Sequence, residues 1–231
     1  LAELQDAQTY GDDGDDFATL PRTAVVDRFD ILQLLVAAKI SDLFQRGVEG
    51  ELHVGRMTLD IGRRDLVGRQ FFGNVLFNFD GIHLALHREE AWRVRLFLVR
   101  PVVHTPSTLD PLFADSQGHA DDRLFWGAYS EMPWAAELTA QLAYFGLNEK
   151  PAQPQRQRQI QTFSLRLLRP PHAATWDIDI QTTWQVGSVS PAGSTTRQDL
   201  FAHYQHVEAG YTFAFPWQPR VSGVLNYFSS K

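Results

Sequence analysis

Hydrophobic residues recur at every second position along most of this chain, most plainly from Phe79 to Arg100. Ile82, Leu84 and Leu86 alternate with His83, Ala85 and His87. After Glu89-Glu90-Ala91, the residues Trp92, Val94, Leu96 and Leu98 alternate with Arg93, Arg95, Phe97 and Val99. A period of two on both sides of a three-residue turn predicts a β-hairpin. With that turn His87 falls opposite Arg93 and Leu86 opposite Val94, so one face of the hairpin is oily and the other largely basic. In a water-soluble sandwich the oily face is core and the arginines meet solvent. In an outer-membrane barrel the oily face meets lipid and the arginines line a wet lumen.

The same period predicts about eleven strands, over residues 1–10, 31–41, 50–59, 78–88, 92–103, 122–132, 135–146, 159–169, 175–187, 199–213 and 219–228. Lengths of about 9–13 residues exceed the ~5–6 usual in soluble sheets and suit tilted strands that cross a bilayer. Connections alternate as well. Those at 11–30, 60–77, 104–121, 147–158 and 188–198 are long, those at 89–91, 133–134, 170–174 and 214–218 are short, and 42–49 is intermediate. Long loops at one end and tight turns at the other are the habit of an outer-membrane barrel.

Individual strands repeat the two-faced design. Trp176, Ile178, Ile180, Thr182, Trp184 and Val186 share one face, against Asp177, Asp179, Gln181, Thr183 and Gln185 on the other. Trp176 and Trp184 lie ~26 Å apart at about 3.3 Å per residue, near the height of a lipid-facing band edged by aromatic girdles. Trp92, Trp134, Phe213, Phe215 and Trp217 gather with Trp176 beside the short turns. Leu52-His-Val-Gly-Arg56 alternates poorly. Arg56 has the parity of Leu52 and Val54, which predicts a bulge near Gly55 or an exit from the bilayer, with the face of Arg56 left open.

Composition narrows the class further. A chain of 231 residues can bury a core as one β domain or two, and the expectation is a single barrel domain over 1–231. No run reaches the ~18 apolar residues of a membrane helix, so any span is β. The absence of cysteine removes disulfides and thiolate sites, and a net charge of -6 argues against nucleic acid as a partner. The ends, Leu1 inside a strand pattern and Lys231 just after one, suggest an internal portion of a longer protein.

Candidate chemistry is sparse. Gly11-Asp-Asp-Gly-Asp-Asp16 offers carboxylates for a cation but lacks EF-hand spacing, and reads as a solvated acidic loop. His83, His87, His203 and His206 form no metal set, since no Glu or Cys completes one. Asp177 and Asp179 could suggest a glycosidase, yet two aspartates on one face of one strand read more simply as lumen-facing polar groups that pair with Arg166. No nucleophile triad, P-loop or dinucleotide fingerprint occurs, so no enzyme is expected. What remains is a mixed-charge face with a basic sector, whose arginines either lower the energy of an entering anion or balance Asp177, Asp179, Glu137 and Glu208.

Leu52-His-Val-Gly-Arg-Met-Thr-Leu-Asp-Ile-Gly62, Leu66-Val-Gly68 and Asn74-Val-Leu-Phe-Asn-Phe-Asp-Gly81 resemble the alginate export family of outer-membrane porins. So do Ala2-Glu-Leu-Gln-Asp-Ala-Gln-Thr-Tyr-Gly-Asp-Asp13, Asp30-Ile-Leu-Gln-Leu34, Phe125-Trp-Gly-Ala-Tyr129, Glu208-Ala-Gly-Tyr-Thr-Phe213 and Pro216-Trp-Gln-Pro-Arg220, in order along nearly the whole chain. The resemblance implies an all-β, antiparallel up-and-down transmembrane barrel of about eighteen strands in the bacterial outer membrane. It also implies passage of an anionic, alginate-like polysaccharide, lipid and periplasmic export factors as partners, and no cofactor or metal. The residues expected to meet substrate are Arg93, Arg95, His83, His87, Arg166, Arg56 and Asp80. The chain departs from the family pattern at Asp65 and Phe77, where the family usually has Arg. Two other readings stand beside this one, a general porin and a soluble β-sandwich carbohydrate-binding protein.

Overall fold

A computed structural model of the chain describes residues 1–7, 27–69, 76–102, 112, 123–135, 137–149, 157–190, 194 and 196–230. Among these the regular structure is all β: β1 (Ala2–Ala7), β2 (Asp27–Ile40), β3 (Val48–Met57), β4 (Phe79–Arg88), β5 (Trp92–Pro101), β6 (Arg123–Ala135), β7 (Leu138–Glu149), β8 (Gln157–Arg169), β9 (Thr175–Ser190), β10 (Gln198–Thr212) and β11 (Arg220–Ser230). The eleven strands form one sheet in strict chain order, an antiparallel meander whose first and last members do not pair with each other. The acidic loop 11–16, and residues 8–13 and 74–75 of the family-like stretches, lie outside the described residues.

The short turns form where the sequence offers small or polar residues. Across 89–91 the Ala91 amide donates to the Arg88 carbonyl at 3.1 Å, with Glu90 left-handed at φ 57°. Ahead of β9 the Thr175 hydroxyl donates to the His172 carbonyl at 2.8 Å, with Ala174 at φ 61°. The turn expected at 133–134 is displaced. β6 runs through Pro133 and Trp134 to Ala135, and Glu137 takes the left-handed position at φ 69°. Proline ends a strand only where its missing N–H is needed, and near a strand tip it is tolerated. The connections expected to be long at 147–158 and 188–198 are also shorter, at 150–156 and 191–197. Their strands continue because Asn148 pairs with Gln159, and Gln157 with Ser190.

By its contacts the chain falls into two compact units. The first comprises Leu1–Ile40, Glu51–Leu84 and Phe97–Phe125. It holds an apolar core in which Leu32, Met57, Leu59, Ile61, Val67, Phe97 and Val99 are buried. Phe125 lies 5.0 Å from Phe97 and 6.0 Å from Phe79, ring centre to ring centre. Leu59, Ile61 and Val67 belong to the connection after β3, which is closed by an Ile61–Val67 bridge. Phe97 and Val99, whose parity places them with the arginines on the expected wet face, thus belong to packed protein.

The second unit comprises Ser41–Gly50, Ala85–Leu96 and Trp126–Lys231. Its faces are the reverse of a soluble sheet. Along β9, Trp176 is 62% and Ile180 38% exposed, while Asp177 is 3% and Gln181 4%. Leu142, Phe163, Leu165, Trp184 and Val207 join the exposed set, and Gln141, Thr162, Thr183, His206 and Thr212 the buried one. Ordinary proteins bury the apolar group and expose the polar one. A sheet with hydrocarbon on its apolar side and polar contacts on the other does the opposite. Beside the short turns the exposed rings form a file. Trp176 contacts Tyr211 at 5.2 Å, Tyr211 contacts Phe213 at 5.0 Å, and Phe215 follows at 6.0 Å and Trp217 at 6.3 Å.

Ile180 sits midway between Trp176 and Trp184. Ile180→Arg is therefore expected to cost about 2–4 kcal/mol of stability in lipid vesicles, where an exposed site in a soluble sheet would change by within about 0.5 kcal/mol. Denaturant titration of the folded chain in vesicles measures the difference.

Candidate functional site

Gly55 sets the geometry of the buried charges in the first unit. At φ +132° its absent Cβ would lie 2.3 Å from the Leu34 carbonyl oxygen, so the strands approach there as no other residue permits. The irregularity buries Gly55, Arg56 and Met57 in succession and turns Arg56, 0% exposed, into the protein. Its guanidinium grips Asp80 with two bonds, Nε to Oδ1 at 2.8 Å and Nη2 to Oδ2 at 3.0 Å, and Nη1 lies 3.6 Å from Asp30. Asn78 donates to the Ile31 and Leu32 carbonyls at 3.2 Å each, closing the polar cluster against β2. Farther along the same strands His53 meets His83. Their Nδ1 atoms are 3.5 Å apart, and His53 Nε2 lies 3.1 Å from Glu51 Oε1.

In the second unit the antiparallel register places Arg166 beside Gln141 on β7 and Gln181 on β9. One step along the ladder, Arg166 holds Asp179 through Nε and Nη2, each at 2.6 Å, and donates from Nη1 to Gln141 at 3.1 Å. Gln141 in turn donates to Glu131 at 3.2 Å, which also accepts from the Tyr129 hydroxyl at 3.0 Å. His206, buried on β10, contacts Asn226 at 2.8 Å and lies 4.0 Å from Asp179. At the turn end of β11, Arg220 reaches across β10 to Asp177 on β9, at 2.5 and 3.0 Å, and bonds Glu208 at 2.7 Å on the way. Gly210 makes that reach possible, because a Cβ there would lie 2.6 Å from Arg220 Nη2. At the far end Arg158 pairs with Glu149 at 2.5 and 2.9 Å.

The residues singled out from sequence are dispersed among these arrangements. Arg56 and Asp80 form one pair, while Arg166 joins Asp179. His83 is buried against His53. Arg95 is half-buried, and His87 is exposed at the end of β4. Arg93 is 73% exposed and stands 3.7 Å from Glu131. Sequence reasoning missed His53, Glu149, Arg158, Gly210 and Arg220. The parity of Arg220 with Asn226 would have pointed inward, whereas Glu149 and Arg158 were hidden by ending their strands early. Outside the strands, the hydrogen bond from Arg169 to Glu137 holds that carboxyl below the usual carboxylate range.

Each of the guanidiniums of Arg56, Arg158, Arg166 and Arg220 touches at least one carboxylate. In each unit the polar groups are therefore ion-paired and rich in donors. These groups are chemically suited to contact with hydroxyls and carboxylates, and among the described residues they set no nucleophile beside a base.

A model of the alginate export family matches residues 1–230. No curated protein and no solved structure matches the chain.

Arg56→Met is expected to destabilise the folded chain by about 3–5 kcal/mol, because it strands buried carboxylates. Gly210→Val, by pushing Arg220 off Asp177, should cost about 1–3 kcal/mol. On an Arg220→Ala background the glycine change should have little further effect. Denaturant unfolding in detergent micelles reads both.

Proposed function

We propose, since the chain belongs to the alginate export family, that its buried polar face lines the aqueous path of an outer-membrane channel and passes an anionic polysaccharide of the alginate class. The family is one of outer-membrane polysaccharide channels, and the fold agrees with that setting. The observation that supports the reading best is the reversal of burial in β9 and its neighbours, with Ile180 and Trp184 outward and Gln181 and Thr183 inward. No covalent chemistry is required of the chain. Lipid of the outer membrane meets the exposed apolar face, and periplasmic export factors meet the short-turn end.

Paired arginines suit a moving polyanion better than bare ones. A free guanidinium in a path of low dielectric would hold a carboxylate too long, whereas conduction needs sites that bind and release. Arg166 is held by Asp179 and Gln141, and Gln141, Thr183 and Ser164 supply neutral partners for sugar hydroxyls. Arg93, Arg95, His83 and His87 extend this series along β4 and β5.

A general porin is favoured by one observation, the neutralisation of Arg166 by Asp179 and of Arg220 by Asp177 and Glu208. Asp65 and Phe77, where the family usually carries Arg, point the same way. Single-channel recording separates the two. For an exporter, polymannuronate should block the current, and Arg93→Glu with Arg95→Glu should weaken that block at least about tenfold, some 1.4 kcal/mol. Current unaffected by polymannuronate, with small ions passing freely, would establish the general porin.

A further inference from the structure

His53 has no part in the channel reading, and it brings its ring nitrogen against that of His83 on the neighbouring strand. We propose that His53 and His83 bind a divalent transition-metal ion between their Nδ1 atoms, copper(II) most tightly, with Glu51 orienting His53 from behind.

The distance between the two nitrogens carries the argument. An ion about 2.0–2.1 Å from each of two imidazole nitrogens, at a right or tetrahedral angle, holds those nitrogens about 2.9–3.4 Å apart. Here Nδ1 and Nδ1 are 3.5 Å apart, with ring centres 5.4 Å apart and planes inclined at 55°. A shift of a few tenths of an ångström closes the bite. As a hydrogen bond the same contact is long, since nitrogen donors prefer about 2.9–3.0 Å.

The surroundings fit this use. A metal-bound histidine commonly donates its other ring N–H to a carboxylate, which fixes the tautomer and raises ligand basicity. Glu51 Oε1 stands 3.1 Å from His53 Nε2 in that role, with Lys39 Nζ 3.9 Å from the same oxygen. Both histidines project from paired strands, and His83 is only 5% exposed, so little side-chain freedom is lost when an ion arrives. Among the described residues no group of three or more His, Cys, Asp or Glu could hold a metal, so the site offers two protein ligands. Such a site takes an exchangeable ion, and two imidazoles rank the first-row metals with copper(II) ahead of zinc(II).

Copper(II) titration of the full chain in detergent micelles tests this by calorimetry and electron paramagnetic resonance. One ion per chain is expected, with superhyperfine splitting from two equivalent imidazole nitrogens. His53→Phe or His83→Phe should weaken binding at least about tenfold, and Glu51→Gln by about 10–100-fold. His172→Phe and His203→Phe should leave it unchanged. Binding that survives both His53→Phe and His83→Phe, or a one-nitrogen spectrum from the parent chain, overturns the assignment. If the buried His83 variant does not fold, the spectrum of the parent chain decides alone.

Discussion

In hydrocarbon a backbone N–H or C=O has no water to turn to, so a strand survives there only with its ladder satisfied by neighbours. That constraint organises the molecule. Strands β7 to β11 are paired through unbroken antiparallel registers, including the fifteen matched positions that join β9 to β10. Because side chains alternate with a period of two, each register also fixes which residues lie on the apolar face and which on the polar one. A slip of one place would carry Ile180 and Trp184 inward and Asp177 and Gln181 outward. The reversal of burial follows from the ladder together with the sequence.

The buried charges follow from the same alternation. Once Asp177, Asp179 and Arg166 are committed to the polar side, their charges need partners, and the arginines reach sideways to find them. Arg166 bonds to neighbours on both adjoining strands, while Arg220 spans two strands over the bare backbone of Gly210. Removing one member of such a pair leaves the other desolvated, whereas replacing both with apolar groups can be nearly neutral. Each pair therefore keeps an already buried partner compensated more than it adds to total stability. In the first unit Arg56, Asp80 and Asp30 do the same amid apolar neighbours.

All eleven strands were legible in the sequence, most from a sustained period of two and β3 despite its poor alternation. The boundaries were less so. Pro133-Trp134 reads as a turn by composition, yet the chain turns three residues later, where Glu137 accepts a left-handed backbone. The pairing of Arg166 with Asp179 was legible, since it follows from parity and a short hairpin, but the same expectation for Asp177 failed, because that carboxylate is taken by Arg220. Contacts that cross a strand, such as Arg220 to Asp177, were not, because period-two reasoning places residues on faces but does not say how far a long side chain leans. His53 was obscured by Gly55, whose bulge spoils the alternation of β3 that would have set His53 beside His83. Phe97 and Val99 were assigned to water by parity alone, which does not see that both are buried and that Phe125 packs against Phe97.

The file of rings from Trp176 through Tyr211, Phe213 and Phe215 to Trp217 gives the short-turn end a keel. Aromatic side chains settle at the level of lipid headgroups, and stacked side by side they hold that level together. Five rings in contact can change depth only together, so the edge that they mark moves as one body.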